Sequence, residues 1–62
     1  MFVVQVRGKF SKKNLEVYLK ANGRRTDYYN EAQIYRTEEE GAIAGKAFVD
    51  AGKAWSYTVD PA

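Results

Sequence analysis

The sequence predicts a two-layer α+β domain in which one helix packs across a mainly antiparallel sheet of about four strands, in the order β-β-β-α-β. Three observations lead to this prediction. Residues of alternating polarity mark strands near both ends of the chain. Asn22-Gly23, the strongest short hairpin signal, follows one of these runs. The stretch from Thr37 to Gly52 repeats apolar residues at helical spacing.

The length of 62 residues predicts a single domain over residues 1–62. A chain this short buries only about 60% of the surface of its unfolded form, so its core is small. The sequence contains no cysteine, and therefore no disulfide reinforces the fold. Either one helix on one sheet supplies the whole core or self-association contributes, and we expect a monomer or a small homo-oligomer.

Alternating residues predict two N-terminal strands, over 2–7 and 15–20. Gly8 ends or bulges the first of them. The residues expected to face the core are Phe2, Val4, Val6, Leu15, Val17 and Leu19. The residues expected to face outward are Gln5, Arg7, Glu16, Tyr18 and Lys20.

The dipeptide Asn22-Gly23 predicts a two-residue type I′ turn into a third strand. The expected cross-strand pairs are Lys20 with Arg25, Leu19 with Thr26 and Val17 with Tyr28. Thr26 and Tyr28 then face the core. On the outer face Lys20 lies beside Arg25, and like charges directly opposite each other are unfavourable. Either the third strand is short and frayed, or the outer face awaits an anionic partner.

A further alternating run, over residues 32–36, predicts an extended segment just before the helix. Ala32 and Ile34 are expected to face the core, and Tyr35 is expected to face outward.

The helix is predicted at about residues 38–51. Thr37 followed by Glu40 is a capping-box pattern, and the three consecutive glutamates place negative charge at the positive end of the helix dipole. Gly52 occupies the position of a glycine that ends a helix. The predicted apolar stripe consists of Ile43, Ala44, Ala47, Phe48 and Ala51.

Two glycines lie inside the predicted helix, and each costs up to about 1 kcal/mol relative to alanine there. Gly41 and Gly45 therefore indicate that the helix backbone comes close to the sheet or to a bulky ring such as Trp55. The last strand is predicted over residues 54–59, with Trp55, Tyr57 and Val59 on one face, and Asp60-Pro61 is expected to stop it.

The composition argues against an enzyme. Without histidine or cysteine, the chain lacks the usual general base and the usual zinc ligands. The glutamates at positions 38–40 point in three directions from the helix and cannot converge on one ion, and the glycines match no phosphate-binding spacing. We expect no catalytic residue, no metal site and no cofactor.

No apolar run reaches the roughly 20 residues that a membrane helix needs, so we expect no membrane association. The cysteine-free composition suits a reducing cytoplasm.

Charge is distributed unevenly along the chain. Residues 1–25 carry seven basic side chains and one acidic one, whereas residues 26–62 carry three basic and seven acidic ones. Such asymmetry is typical either of a solvated surface or of an interaction surface. The residues proposed to bind a partner are Arg7, Tyr18, Lys20, Arg24, Arg25, Tyr29 and Tyr35.

Two binding functions fit this set. Tyr and Arg are favoured at protein interfaces, which indicates a non-enzymatic module that acts through a protein partner. The alternative is single-stranded nucleic acid binding, in which cations follow phosphates and rings stack on bases across the outer sheet face. In that alternative the basic loop with Lys9, Lys12 and Lys13 extends the track.

Residues 18–59 contain the string YLKANGRRTDYYNEAQIYRTEEEGAIAGKAF and, six residues later, WSYTV. This resembles a pattern of small phage and prophage proteins, in which a YL-x3-G-x2-T strand precedes a Thr-opened acidic helix and a last strand. Gly41 stands where that pattern usually has alanine. The layout of the second half is also similar to the small RNA polymerase inhibitors of T7-like phages. The resemblance implies a small regulator or inhibitor that binds a protein, in the host cytoplasm if phage-encoded, and it assigns no functional residue.

Overall fold

A computed structural model of the chain describes residues 1–10 and 15–62. Its strands are β1 (Phe2–Arg7), β2 (Glu16–Lys20), β3 (Arg24–Thr26) and β4 (Ser56–Pro61), and its α-helix is α1 (Glu38–Asp50). Two single-turn 3-10 helices cover Ala21–Gly23 and Tyr29–Glu31. The strands form one sheet in the order β3-β2-β1-β4, and all neighbouring strands are antiparallel. The predicted α+β class and element order are confirmed.

The core lies between α1 and one face of the sheet, which we call the inner face. Its buried members are Val4, Val6, Val17, Leu19 and Phe48. Alternation along the two N-terminal strands predicted the first four of them, and the helical stripe predicted Phe48. Val3, on the opposite or outer face, is also only 1% exposed.

Both ends of α1 follow the sequence prediction. The Thr37 hydroxyl accepts a hydrogen bond of 3.1 Å from the backbone N–H of Glu40. After the helix Gly52 adopts φ of +77°. The N–H groups of Gly52 and Lys53 then donate to the carbonyls of Val49 and Phe48, at 2.9 and 3.2 Å, which is the Schellman pattern.

The buried line of α1 consists of Gly41, Gly45 and Phe48. A Cβ atom on Gly41 would lie 3.0 Å from Cγ1 of Val59, so the predicted close approach to the sheet is confirmed. The ring at Gly45 belongs to Tyr57, whereas Trp55 is 64% exposed.

The predicted apolar stripe is partly wrong. Ile43 is 64% exposed, and Ala47 and Ala51 are also exposed. The reason is that the side of the helix that carries Gly41 and Gly45 packs against the sheet.

The predicted register of β3 is wrong by one residue. Lys20 pairs with Arg24, and Tyr18 pairs with Thr26, because the connecting loop contains three residues instead of two. Asn22 and Gly23 both have positive φ, of 65° and 71°. A shift of one residue moves every side chain to the other face. Thr26 therefore faces outward and Arg25, opposite Leu19, lies on the inner side, while Tyr28 is outside the strand and 64% exposed.

The extended segment predicted at residues 32–36 is not a strand. Tyr35 exchanges two backbone hydrogen bonds with Phe2, at 2.7 and 2.8 Å, as an isolated bridge. Gln33 N–H donates to the carbonyl of Leu19 at 3.0 Å, which places this segment between the end of β2 and the start of β1. Tyr35 packs against the core and Ile34 is 43% exposed, the reverse of the prediction.

Two strand boundaries also differ from the prediction. Leu15 precedes β2 and is 41% exposed. β4 begins at Ser56 and continues through Asp60 and Pro61 instead of stopping before them. Proline is tolerated there because β4 is an edge strand.

Candidate binding groove between the helix and the hairpin

An open groove of about 540 Å³ lies between the second half of α1 and the turn that joins β2 to β3. It exists because α1 packs on β1 and β4 and leaves the turn end of β2 uncovered on the inner face. The groove is lined by Leu19, Lys20, Ala21, Asn22, Gly23, Gln33, Tyr35, Ala44, Ala47, Phe48, Ala51 and Lys53.

The helix wall of this groove is made of small apolar residues. Ala44, Ala47 and Ala51 follow one another at helical spacing, so another chain can come close to the α1 backbone there. Leu19 and Phe48 contribute apolar core surface to the same groove. The site therefore offers apolar contact area for an inserted side chain.

Charge on the groove has one sign. Of the described residues that line it, Lys20 and Lys53 are basic and none is acidic. The Lys53 ammonium lies 5.7 Å from the centroid of the Phe48 ring, within the range of a cation–π contact. A ligand group beside Phe48 therefore meets a positive charge.

Tyr35 also lines the groove, on the inner side of the molecule, and its predicted outward position is wrong. Burial raises the pKa of the Tyr35 phenol above its ordinary value of 10.0, because desolvation disfavours the phenolate. The phenol is accordingly a neutral hydrogen-bonding group at physiological pH.

The two arginines of β3 are placed on opposite faces. Arg25 holds its guanidinium 5.0 Å from the centroid of the Phe10 ring, on the inner side. Arg24 is exposed on the outer side and lies opposite Lys20, so a pair of like charges is present although its members differ from those predicted.

The outer face is partly covered by the Tyr29–Glu31 turn. The rings of Tyr18 and Tyr29 meet edge to face, with centroids 5.4 Å apart. The Thr26 hydroxyl donates to Glu31 Oε1 at 2.9 Å and accepts from the Tyr28 N–H at 3.2 Å. These contacts fasten the turn to the sheet.

Glu31 connects this turn to a predicted binding residue, since its Oε1 lies 3.7 Å from the Lys20 ammonium. Sequence reasoning missed Glu31. The available signal was a carboxylate in a turn close to the basic hairpin. This carboxylate offsets the repulsion between Lys20 and Arg24.

A second ion pair lies on the outer face, where Arg7 is 3.7 Å from Glu16 across β1 and β2. Two of the predicted cations thus lie beside carboxylates, and two of the predicted rings contact each other edge to face. The structure does not gather the seven predicted residues on one surface. The outer-face members are Arg7, Tyr18, Lys20, Arg24 and Tyr29, and the inner-side members are Arg25 and Tyr35.

Within residues 1–10 and 15–62, no group of three acidic side chains is arranged to hold a metal ion. No helix among these residues has the length and apolar character needed to cross a membrane. Lys12 and Lys13, proposed to extend a nucleic-acid track, lie outside the described residues.

Comparison of the chain with protein-family models, curated proteins and solved structures gave no significant match. The resemblance to small phage regulators therefore stays a prediction.

Proposed function

We propose that the protein is a non-enzymatic binding module that acts through a protein partner, and that the groove beside α1 receives an acidic segment of that partner together with one apolar side chain. The observation that carries this proposal is the combination of apolar walls and exclusively basic charged groups among the described residues of the groove.

The size of the groove supports this function. Its volume of about 540 Å³ lies within the range of roughly 300–1,000 Å³ that is usual for ligand sites. Because alanines form the helix wall, a peptide backbone can approach α1 closely while a larger side chain fills the space beside Leu19 and Phe48. Desolvated apolar anchors of this kind dominate the energy of protein interfaces.

Charge supports an acidic occupant. Lys53 lies on the groove beside Phe48, whereas Lys20 also lines it but has its ammonium 3.7 Å from Glu31 Oε1. Arg24 and Arg25 add positive charge to the neighbouring hairpin. Complementary charge accelerates encounter and disfavours partners of the wrong sign. A small regulator or inhibitor, as the phage resemblance implies, fits this mode of action.

The alternative, single-stranded nucleic acid binding on the outer face, is less well supported. Stacking platforms present open ring faces, whereas Tyr18 and Tyr29 contact each other edge to face, so that one face of one ring is occupied. Arg7 and Lys20 lie beside Glu16 and Glu31, which compete with phosphate for them.

The test compares two substitutions at one exposed position, Ala47→Glu and Ala47→Lys. Both residues are good helix formers of similar length, so the variants differ mainly in charge. Each variant and the wild type serve as bait in a bacterial lysate, and captured proteins are identified by mass spectrometry. Acidic segments of each protein lost on A47E are then synthesised with a fluorescent label and titrated by anisotropy.

We expect A47E to lose peptide binding and A47K to keep most of it. Equal loss with both variants contradicts the acidic partner, and unchanged binding with both contradicts the groove. A labelled single-stranded oligonucleotide is titrated in parallel at low and moderate salt. Binding that falls steeply with salt, depends on Tyr18 and ignores Ala47 would favour the nucleic-acid function instead.

A further inference from the structure

The two edges of the sheet are built differently. β3 forms one edge with only three residues, two of which are arginines. Shortness and positive charge are common devices that protect an edge from pairing. β4 forms the other edge with six residues, Ser56–Pro61, of which Asp60 alone is charged. The β4 edge is therefore the one suited to accept another strand.

Hydrogen bonds elsewhere in the sheet show which backbone groups of β4 point outward. The Gly8 N–H donates to the carbonyl of Leu15, which directly precedes β2. Phe2 exchanges backbone hydrogen bonds with Tyr35, which lies on the same side of β1 as β2. Even-numbered residues of β1 therefore direct their backbone groups toward β2. Odd-numbered residues of β1 therefore bond to β4, as the bond from Ala62 N–H to the Met1 carbonyl confirms.

The register then assigns the groups of β4. Thr58 and Asp60 lie opposite Gln5 and Val3, so their backbone groups point toward β1. Tyr57 and Val59 consequently direct both N–H and C=O away from the sheet. Pro61 shares this outward orientation, which costs no ladder bond because proline has no N–H.

We propose that β4 pairs with β4 of a second copy of this chain, in an antiparallel arrangement centred on Thr58, so that two sheets join into one. In this register Tyr57 and Val59 exchange backbone hydrogen bonds with Val59 and Tyr57 of the second copy. All outward-pointing groups of both residues are then satisfied.

The side chains of β4 are complementary to themselves in this register. Thr58 meets Thr58 of the second copy, and the single charge, Asp60, meets Ser56. On the inner face Tyr57 meets Val59. Cross-strand pairs of Thr with Thr and of aromatic with β-branched residues are favourable. Like charges do not meet at any of these positions.

The same register gives Trp55 a partner. Its side chain is 64% exposed in the single chain. Trp55 directly precedes β4 and its N–H donates to the Arg7 carbonyl at 2.7 Å, so it adds no backbone bond between the copies. Pairing about Thr58 brings its side chain near Pro61 of the second copy at each end of the joined strands. One arrangement thus covers both the exposed Trp55 and the neighbouring edge of β4.

The helices also fit. Gly41 lies over Val59, and Gly45, one turn later, lies over Tyr57, so α1 runs along β4. Strands are about 4.8 Å apart, and a helix over β1 and β4 therefore lies roughly 10 Å from its symmetry mate, close to the usual helix packing distance. Half-buried Ala42 and Val49, on the side of α1 away from the groove, face this contact.

The experiment uses Thr58, which is exposed in the single chain and meets its own counterpart in the pair. Sedimentation velocity and light scattering over a concentration series measure the mass of wild type, T58K and T58E, and of an equimolar mixture of the two variants. The intensity and wavelength of Trp55 fluorescence, the only tryptophan, follow the same series. Circular dichroism checks that each variant is folded.

We expect the wild type to dimerise with a blue shift of its fluorescence. T58K and T58E should each weaken the dimer by about fivefold or more, since like charges then face each other, and mixing them should restore it. A wild type that stays monomeric at the highest concentration reached overturns the proposal. Variants that dimerise as well as wild type, or a mixture that does not recover, overturn the register about Thr58.

Discussion

The backbone of Gly45 rests on the ring of Tyr57, so closely that a Cβ atom on the glycine would lie 2.5 Å from Cδ2 of the tyrosine. Glycine is a poor helix former, with a cost of about 1 kcal/mol relative to alanine. The contact with Tyr57 explains why the helix carries it. The short distance between α1 and β4 therefore depends on the lack of a side chain at Gly45.

The substitution Gly45→Ala should destabilise the protein, although alanine is the better helix former. A methyl group at this distance forces the ring or the helix to move, and overpacking of this kind usually costs about 1–3 kcal/mol. Urea unfolding followed by circular dichroism measures the change. Combining it with Tyr57→Ala should reduce the cost of the alanine, and an increase in stability for Gly45→Ala alone would contradict the tight contact.

Phe48 is the largest buried side chain that α1 contributes to the core. Phe48→Ala should cost about 3–5 kcal/mol, the usual value for a buried phenylalanine. Since small domains have little more stability than this, we expect the variant to be largely unfolded at room temperature. Ile43→Ala on the exposed side of the same helix should change stability by no more than about 0.5 kcal/mol. Similar melting temperatures for both variants would place Phe48 outside the core.

Features determined by neighbouring residues could be predicted from the sequence. The Thr37 cap and the Gly52 terminus depend on a few adjacent positions, and both agree with the structure. The turn at Asn22-Gly23 was located correctly, but the dipeptide fits loops of two or three residues. The difference of one residue in loop length decided the register of β3 and placed Arg25 and Thr26 on the faces opposite to those predicted.

Features that depend on distant contacts could not be predicted. Alternation at residues 32–36 suggested that Tyr35 faces outward, but the bridge to Phe2, far away in sequence, decides its orientation. The pairing of Glu31 with Thr26 and Lys20 depends likewise on where the turn meets the sheet. The groove follows from how far α1 extends over the sheet, which no local pattern encodes.

Thr26 is the buried polar residue that fastens the Tyr29–Glu31 turn. Thr26→Val keeps the shape but removes the hydroxyl, leaving the Tyr28 N–H without its acceptor, and should cost about 1–2 kcal/mol. Glu31→Gln keeps an acceptor for Thr26 and loses only the charge near Lys20, whose side chain is 43% exposed, so its cost should be below about 1 kcal/mol. Denaturant unfolding measures both. Equal costs would show that charge, not the hydroxyl, holds the turn.

Tyr35 makes stability depend on pH in the alkaline range. Burial raises its pKa in the folded protein above the ordinary value of 10.0. Above pH 10 the unfolded chain loses a proton that the folded chain keeps, so the free energy of unfolding should fall as pH rises from about 10 through the folded-state pKa, and Tyr35 should add no slope below that range. Tyr35→Phe should remove this part of the decline. Urea unfolding of the wild type and of Tyr35→Phe across this pH range measures the change, and an equal decline in both would contradict the assignment to Tyr35.

The three-residue loop between β2 and β3 has an evolutionary consequence. If one codon of Ala21–Gly23 were lost and the loop kept three residues, Arg24 would enter the loop and Arg25 would pair with Lys20 on the outer face, a shift of one residue in register. One deletion thus moves positive charge from one side of the molecule to the other without altering any side chain. A change in loop length at this turn therefore redistributes positive charge between the two faces of the molecule.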